Sequence, residues 1–364
     1  MTEYRPRSHA DVIVGKLWKG YLLDGAPRLP RVRVVSMYVD QFPENDLARD
    51  ASARYGAPIY PTIRAALTLG GPELAVDGVL LIGEHGDYPE NEIGQKMYPR
   101  RRFFAEATAV MRQAGRVVPT FSDKHLSYAW EEARTTWREA RELGLPFMAG
   151  SSLPLTWRRP PLELPSGCSI DEALVVGYGP LESYGFHALE TLQCMVERRG
   201  RGEVGVAAVQ CLRGAAVWEA AGAGRWSRDL EAAALARTES ISQHGTPEAG
   251  ASAPAAFLIE YRDGLRATVL MLDRFVSQFT FAARVGGEVV STLFYLQSTE
   301  PFGHFAFLVG RFEDMVLSGH PPYPVERTVL TTGTLDFLMR SAARDGARVE
   351  TPELDVAYGL RVEG

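Results

Sequence analysis

The chain has 364 residues, 46% of them apolar and 23% charged, more than one hydrophobic core ordinarily serves, so two globular domains are expected. A formal net charge of −6 excludes a general nucleic-acid or anionic-membrane binder, because neutralising phosphates needs a clustered basic surface. No apolar run approaches the roughly 18 residues of a membrane helix. The polar start around Arg5, Pro6 and Arg7 is no secretory signal, and Cys168, Cys194 and Cys211, without a CxxC pair, fit a reduced, cytoplasmic thiol set.

In chain order, a helix is expected over about Ala10 to Leu22. Val32 to Asp40 reads as a buried strand, Asn45 to Tyr55 as a helix, Pro58 to Tyr60 as a short strand and Thr62 to Leu69 as a helix. Val76 to Gly83 is the clearest strand, largely apolar and ended by glycine. A helix from about Arg101 to Ala114, a strand from Arg116 to Phe121, a helix capped by Ser127 and running to Leu143, and a strand from Pro146 to Gly150 complete this half. Buried, non-alternating strands joined by helices imply a parallel sheet with right-handed crossovers, so residues 1–152 read as a Rossmann-type doubly wound domain. The basic run of Lys96 with Arg100, Arg101 and Arg102 at a helix start reads as a solvated face.

After Ser151 the pattern changes. A proline-rich stretch leads to a strand near Ala173 to Tyr178, then to a helix from Tyr184 to about Arg198 that buries Phe186, Leu189, Leu192 and Val196 at helical spacing. Two hairpins follow: Ala256 to Arg262 with Leu265 to Leu272 around Asp263-Gly264, and Ser277 to Val285 with Glu288 to Leu296 around Gly286-Gly287. Thr246 to Ala255 reads as a mobile loop, and helices over Pro301 to Ser318 and Val325 to Ala343 come near the end. Residues 153–364 are therefore expected to form an α+β domain on an open, mainly antiparallel sheet.

Chemistry-bearing residues gather where the expected strands end, the place where open α/β sheets bind ligands. Ser122-Asp123-Lys124-His125 follows one strand; a lysine there can hydrogen-bond a substrate hydroxyl and stabilise developing oxyanion charge. Gly83-Glu84-His85-Gly86-Asp87 follows another. Glu84, His85 and Asp87 are an alternative metal-ligand set, but no tight ligand spacing occurs, and the primary reading has no metal. His187, near a helix start and titrating near neutral pH, suits proton transfer, with Glu182 or Ser183 orienting it. Arg158 is a candidate clamp for an acidic substrate, and Tyr184 for stacking on a sugar ring. His244, His304 and His320 have no partner visible in sequence.

No G-x-G-x-x-G motif follows a strand. Arg5, Arg7, Ser8 and His9 stand instead at a helix N-terminus, an anion site made of guanidinium forks and helix amides. Asp40, at the end of the second strand, sits where a ribose-binding acid belongs. Few residues precede the first helix, so the first strand is expected to be truncated, as from a start annotated downstream.

This order, with these motifs, resembles the glucose–fructose oxidoreductase / inositol dehydrogenase (Gfo/Idh/MocA) family over nearly the whole chain. In that family a strand ends in Glu-Lys-Pro with the lysine beside nicotinamide and substrate. Lys124 falls on that lysine, Asp123 on the glutamate and His125 on the proline. The family's Asp-x-Gly-x-His-x-x-Asp segment falls on Ser183, Gly185, His187 and Glu190. The resemblance implies an NAD- or NADP-dependent oxidoreductase of a sugar or polyol-like small molecule. Lys124, His187, Glu182 and Ser183 would be catalytic. Arg5, Arg7, Ser8, His9, Asp40, Gly83, Glu84 and His85 would bind the cofactor, and His125, Arg158 and Tyr184 the substrate. It also implies a homodimer or homotetramer joined through the exposed faces of the two hairpins. The alternatives are a metal-assisted lyase, hydrolase or epimerase, and a ligand-binding relative without turnover.

Overall fold

The structure is a computed structural model that describes residues 1–241 and 245–360; His244 lies outside the described residues. The chain divides into two compact units. The first comprises Met1–Glu90, Lys96–Leu155 and Gln297–Val325; the second comprises Asn91–Gln95, Thr156–Leu296 and the chain from Glu326 on. The segment Gln297–Val325, which sequence places in the C-terminal half, thus clusters with the N-terminal unit.

The first unit opens with Met1 to Tyr4 in extended form, then α1 (His9–Lys19), capped by Ser8, whose Oγ accepts the Asp11 N–H. A hairpin unforeseen in the sequence, β1 (Tyr21–Leu23) and β2 (Ala26–Arg28), turns at Asp24-Gly25. Then come β3 (Met37–Tyr38), α2 (Ala48–Tyr55), β4 (Ile59–Tyr60), α3 (Ile63–Thr68), β5 (Val79–Leu81), α4 (Arg100–Ala114), β6 (Thr120–Asp123), α5 (Trp130–Glu142) and β7 (Phe147–Gly150). β3 pairs with β4, and β5 with β6 and β6 with β7, all parallel, which is the expected doubly wound grammar. Ile13, Leu17, Ile82, Phe121 and Met148 share one core with Phe305, Phe312 and Met315 from the late segment.

Two expectations need correction here. Ser127 does not cap α5: the helix begins three residues later behind Ala129, and Ser127 Oγ bonds Glu132 instead. The strands expected over Val32 to Asp40 and Val76 to Gly83 are cut to β3 and β5, because each has a partner strand on one edge only.

The second unit is built on one sheet. Its elements are β8 (Trp157–Arg159), β9 (Ile170–Gly177), α6 (Ser183–Val196), β10 (Val206–Arg213), α7 (Ala215–Gly222), α8 (Arg228–Leu235), α9 (Pro247–Gly250), β11 (Ala255–Tyr261), β12 (Arg266–Met271), β13 (Phe279–Val285) and β14 (Glu288–Tyr295). After α10 (His304–Ser318) of the first unit, α11 (Glu326–Ala342) and β15 (Val349–Glu350) complete it. The eight strands run in the order β15-β10-β11-β12-β9-β13-β14-β8 and pair antiparallel, except β9 with β12. Both hairpins form where Asp263-Gly264 and Gly286-Gly287 place them. The loop expected over Thr246 to Ala255 carries α9 instead, whose Gly250 lies against Phe275.

α6 and α11 pack against the sheet. α7 and α8, which the alanine-rich stretch after Gly214 did not announce, also cover it: Val217, Trp226 and Leu230 share a core with Leu174, Leu258, Leu270 and Ala282. In the first hairpin residues of both faces are therefore buried, whereas in the second β14 leaves Glu288 and Val289 exposed. Among the described residues no helix is long and apolar enough to cross a membrane, and the three cysteines are free thiols.

Candidate active site

The strand ends of the first unit carry a dense ionic cluster. Glu84, just past β5, is buried between two cations: Arg100 Nη2 lies 2.8 Å from its Oε2, and Lys124 Nζ lies 3.7 Å from its Oε1. Burial alone would raise the Glu84 carboxyl. Lys124 and Arg100, helped by His9 and His85, outweigh it and hold Glu84 well below the usual carboxylate range. Arg100 Nη1 also lies 3.0 Å from His125 Nε2, and its guanidinium faces the Tyr98 ring at 4.8 Å. Arg100 is 3% exposed, so the basic run read as a solvated face contains one fully internal member. Gly83 is what lets it in: a Cβ there would lie 2.6 Å from Arg100 Cγ.

Lys124 is itself buried and sits in the left-handed region at φ 68°, its N–H donating to Gly150 O at 3.1 Å. His85 is likewise left-handed at φ 71°. Non-glycine residues held there at two neighbouring strand ends cost conformational energy, and such strain concentrates at sites of function. Asp123, fully buried, places Oδ2 2.7 Å from Nδ1 of His9, the first residue of α1. The His9 ring meets Phe305 and His85 edge-on at 5.1 and 5.7 Å. Burial, with His9, Arg5 and Lys124 nearby, lowers His85 to about 4 against the pull of Glu84, and burial lowers His304 to about 4. Both imidazoles are therefore neutral at pH 7.

The turn into α1 is Arg5 to Ser8, closed by the Ser8 N–H on Arg5 O, with Arg7 at φ 62°. Arg5 bonds Glu3 Oε1 at 2.5 Å and approaches His85 Nδ1 at 3.3 Å. Arg7 is exposed; its N–H donates to Asp11 Oδ2, and its guanidinium lies 5.7 Å from the Phe302 ring centre. Asp40 follows β3 as expected, but is heavily engaged: the Tyr88 hydroxyl donates to it at 2.6 Å, Arg102 at 2.5 Å, and the Tyr38 hydroxyl as well. Those donors outweigh burial and hold its carboxyl low. Arg102, read in the sequence only as part of a solvated basic face, is thus tied to Asp40, and nothing in the sequence paired Tyr88 with it.

The alternative metal set does not assemble. Glu84 is committed to two cations, Asp87 is exposed with its backbone bonded to Gln41, and no group of three or more His, Cys, Asp or Glu among the described residues is placed to hold a metal ion.

In the second unit, Glu182 and Ser183 begin α6, with Glu182 at the N-cap position but its carboxylate not capping. His187, one turn in, is half-buried in an aromatic nest of Tyr184, Phe186 and Phe279, ring centres 5.8, 6.1 and 6.0 Å away. Tyr184 also meets Tyr178 at 5.1 Å, and Gly179, at φ 85°, makes room for it, since a Cβ there would lie 2.6 Å from the ring. Arg158 is held by Glu163 at 3.2 Å and over the Phe294 ring at 4.8 Å. That geometry laces β8 to β14. Glu190, the last acid of the motif, is buried and accepts from Thr328 of α11 at 3.2 Å.

No protein-family profile and no curated protein sequence matches the chain. Solved structures do. GenD2 from gentamicin A biosynthesis, in complex with NAD, is 18% identical over 94% of this chain and 92% of its own, with a TM-score of 0.56. Scyllo-inositol dehydrogenase from Lactobacillus casei, with bound NAD(H) and scyllo-inositol, is 10% identical over 93% and 95%, with a TM-score of 0.56. Myo-inositol 2-dehydrogenase from Lactobacillus plantarum is 12% identical over 93% and 95%, with the same TM-score. Over nearly its whole length, this chain has the fold of the Gfo/Idh/MocA-type inositol dehydrogenases.

Proposed function

We propose that the protein is an NAD- or NADP-dependent oxidoreductase of a sugar or polyol-like small molecule, working in the cytoplasm. The observation that carries this reading is Lys124: a buried ammonium at a strand end, balanced by Glu84 and held in a strained backbone conformation. The bound cofactors of the structural neighbours support the same reading.

The donor set around the first turn of α1 fits a dinucleotide by its chemistry. Arg5 and the exposed Arg7, at a helix N-terminus, suit a pyrophosphate, and Asp40 with Arg102 beside it suits a ribose hydroxyl or a ribose phosphate. His9, Gly83, Glu84 and His85 complete the surroundings of that turn. The dinucleotide supplies the acceptor or donor of hydride. Lys124 holds the reacting oxygen through its N–H and stabilises negative charge as it develops. Glu84 lies between Lys124 and Arg100, and Arg100 in turn reaches His125. His187 is the proposed proton acceptor, with Glu182, Ser183 and Tyr184 positioning it and His125 and Arg158 toward the substrate.

Titrating the purified protein with NADH and NADPH is expected to quench its tryptophan fluorescence saturably. Lys124→Ala is expected to lower turnover about 100- to 1000-fold, the cost of losing one oxyanion donor, with circular dichroism unchanged; His187→Ala should lower it as well. Absence of quenching by either cofactor, or unchanged turnover in Lys124→Ala, would defeat the reading.

A further inference from the structure

Asp40 follows β3, at the place where an open α/β sheet uses a carboxylate to take a ribose 2′-hydroxyl, or an arginine to take a phosphate in its stead. Here both residue types stand at that place, and they hold each other. Arg102 Nη2 lies 2.5 Å from Asp40 Oδ1, which the Tyr38 hydroxyl also reaches, and the Tyr88 hydroxyl donates to Oδ2 at 2.6 Å. A carboxylate offers about four lone-pair positions, so these donors leave little for a ligand hydroxyl.

The donors are fixed by their surroundings. Gly86, at φ 103°, brings the Tyr88 ring down onto its own loop: a Cβ there would lie 2.6 Å from Tyr88 Cε2. The Gln41 side chain pins the same loop, donating to Asp87 O at 2.9 Å and accepting the Asp87 N–H at 2.8 Å. Tyr88 meets Tyr98 edge-on at 5.6 Å, and Tyr38 meets Phe103 edge-on at 5.9 Å. Arg102 in turn lies over the Phe103 ring at 4.9 Å. Its other carboxylate contact is Glu106 Oε1, one turn on at 3.2 Å, with the two side chains 44% and 41% exposed. An ion pair so open to water is weak, and a phosphate competes with it on favourable terms.

Charge points the same way. A lone carboxylate at this place repels a 2′-phosphate. Asp40 is neutralised by the guanidinium against it, and the exposed N–H groups of Arg102 remain to meet a phosphate in their fork.

We propose that Asp40 is spent inside the protein and selects neither cofactor, so that NADH and NADPH bind with nearly equal affinity, the 2′-phosphate of NADPH meeting Arg102. This rests on the dinucleotide reading above. It adds the residue that admits the phosphate, Arg102, and the one that withholds the acid from the ribose, Tyr88.

The test is titration of the purified full chain with NADH and with NADPH, followed by tryptophan fluorescence, in the wild type and two variants. The two wild-type dissociation constants are expected to agree within about fivefold, less than one good hydrogen bond. Tyr88→Phe keeps the ring and frees Oδ2, and is expected to tighten NADH about fivefold without tightening NADPH. Arg102→Ala is expected to shift the affinity ratio toward NADH at least about tenfold, through loss of a charge-assisted contact to phosphate. A wild-type preference beyond fivefold for either cofactor overturns the proposal and leaves the dinucleotide reading standing. An unmoved ratio in Arg102→Ala, or an unmoved NADH affinity in Tyr88→Phe, overturns it in the same way. A wild type that binds neither cofactor overturns both.

Discussion

Lys124 shows what a single residue needs in order to be held as a buried cation: a carboxylate within Coulombic reach, a second cation to share it, and a backbone turned into the left-handed region to aim it. His85 and His304 in the same unit are held neutral, near 4, against an ordinary value of 6.5. Below 6.5 the unfolded chain therefore binds more protons than the folded one. Stability present above pH 6.5 is lost as pH falls toward 4, and Glu84, depressed in its turn, extends the loss once pH drops below its ordinary 4.5. The urea midpoint should fall steadily between pH 7 and pH 5, with a shallower fall in His304→Gln; a midpoint that does not move would contradict the neutral imidazoles. The sequence pointed to Lys124 because it follows a buried strand at the sheet's crevice end and falls on the lysine of the family motif it resembles. It hid Arg100, because in a run of basic residues nothing local says which one faces inward. The reason lies across the sheet, in the missing side chain of Gly83.

At the scale of elements, α6 and α11 are joined by a buried ion pair. Arg327 of α11 grips Glu197, at the end of α6, through Nε and Nη2 at 2.5 to 3.0 Å, and the Tyr358 hydroxyl adds a third donor at 2.8 Å. Glu197 and Arg327 are both internal, so removing one partner leaves the other's charge uncompensated. Arg327→Met is expected to cost about 3–5 kcal/mol. The double variant with Glu197→Leu should recover much of that in a denaturant titration; a double variant as unstable as the single would mean that packing, not charge, sets the cost. Elements with strong punctuation were readable: both hairpins from their glycine turns, α6 from its apolar spacing, α4 and β9 to within a few residues. α7, α8 and β10 were not. A stretch such as Ala215–Gly222 has no polar face to set a period, and β10 has apolar residues on both faces because the helices α11 and α7 pack against it.

For the whole molecule, the division into units does not follow the chain. α10 supplies Phe305, Leu308, Val309, Phe312 and Met315 to the core that holds Ile13, Leu17, Phe121 and Met148. A fragment ending at Ser152 contains every strand of the parallel sheet, yet leaves that apolar surface open. It is expected to bind the dye ANS strongly and to lack a cooperative thermal transition, and adding a peptide spanning 297–325 should reduce the dye signal. A fragment that melts cooperatively by itself would show that α10 is an accessory to that core.

During synthesis the same feature sets an order of events. The ribosome must translate the whole stretch from Leu155 to Gln297 before the residues that seal the first core exist, on the order of ten seconds at ordinary elongation rates. Through that interval the nascent chain carries an unfinished apolar face, which makes it a client for chaperones that hold newly made polypeptides.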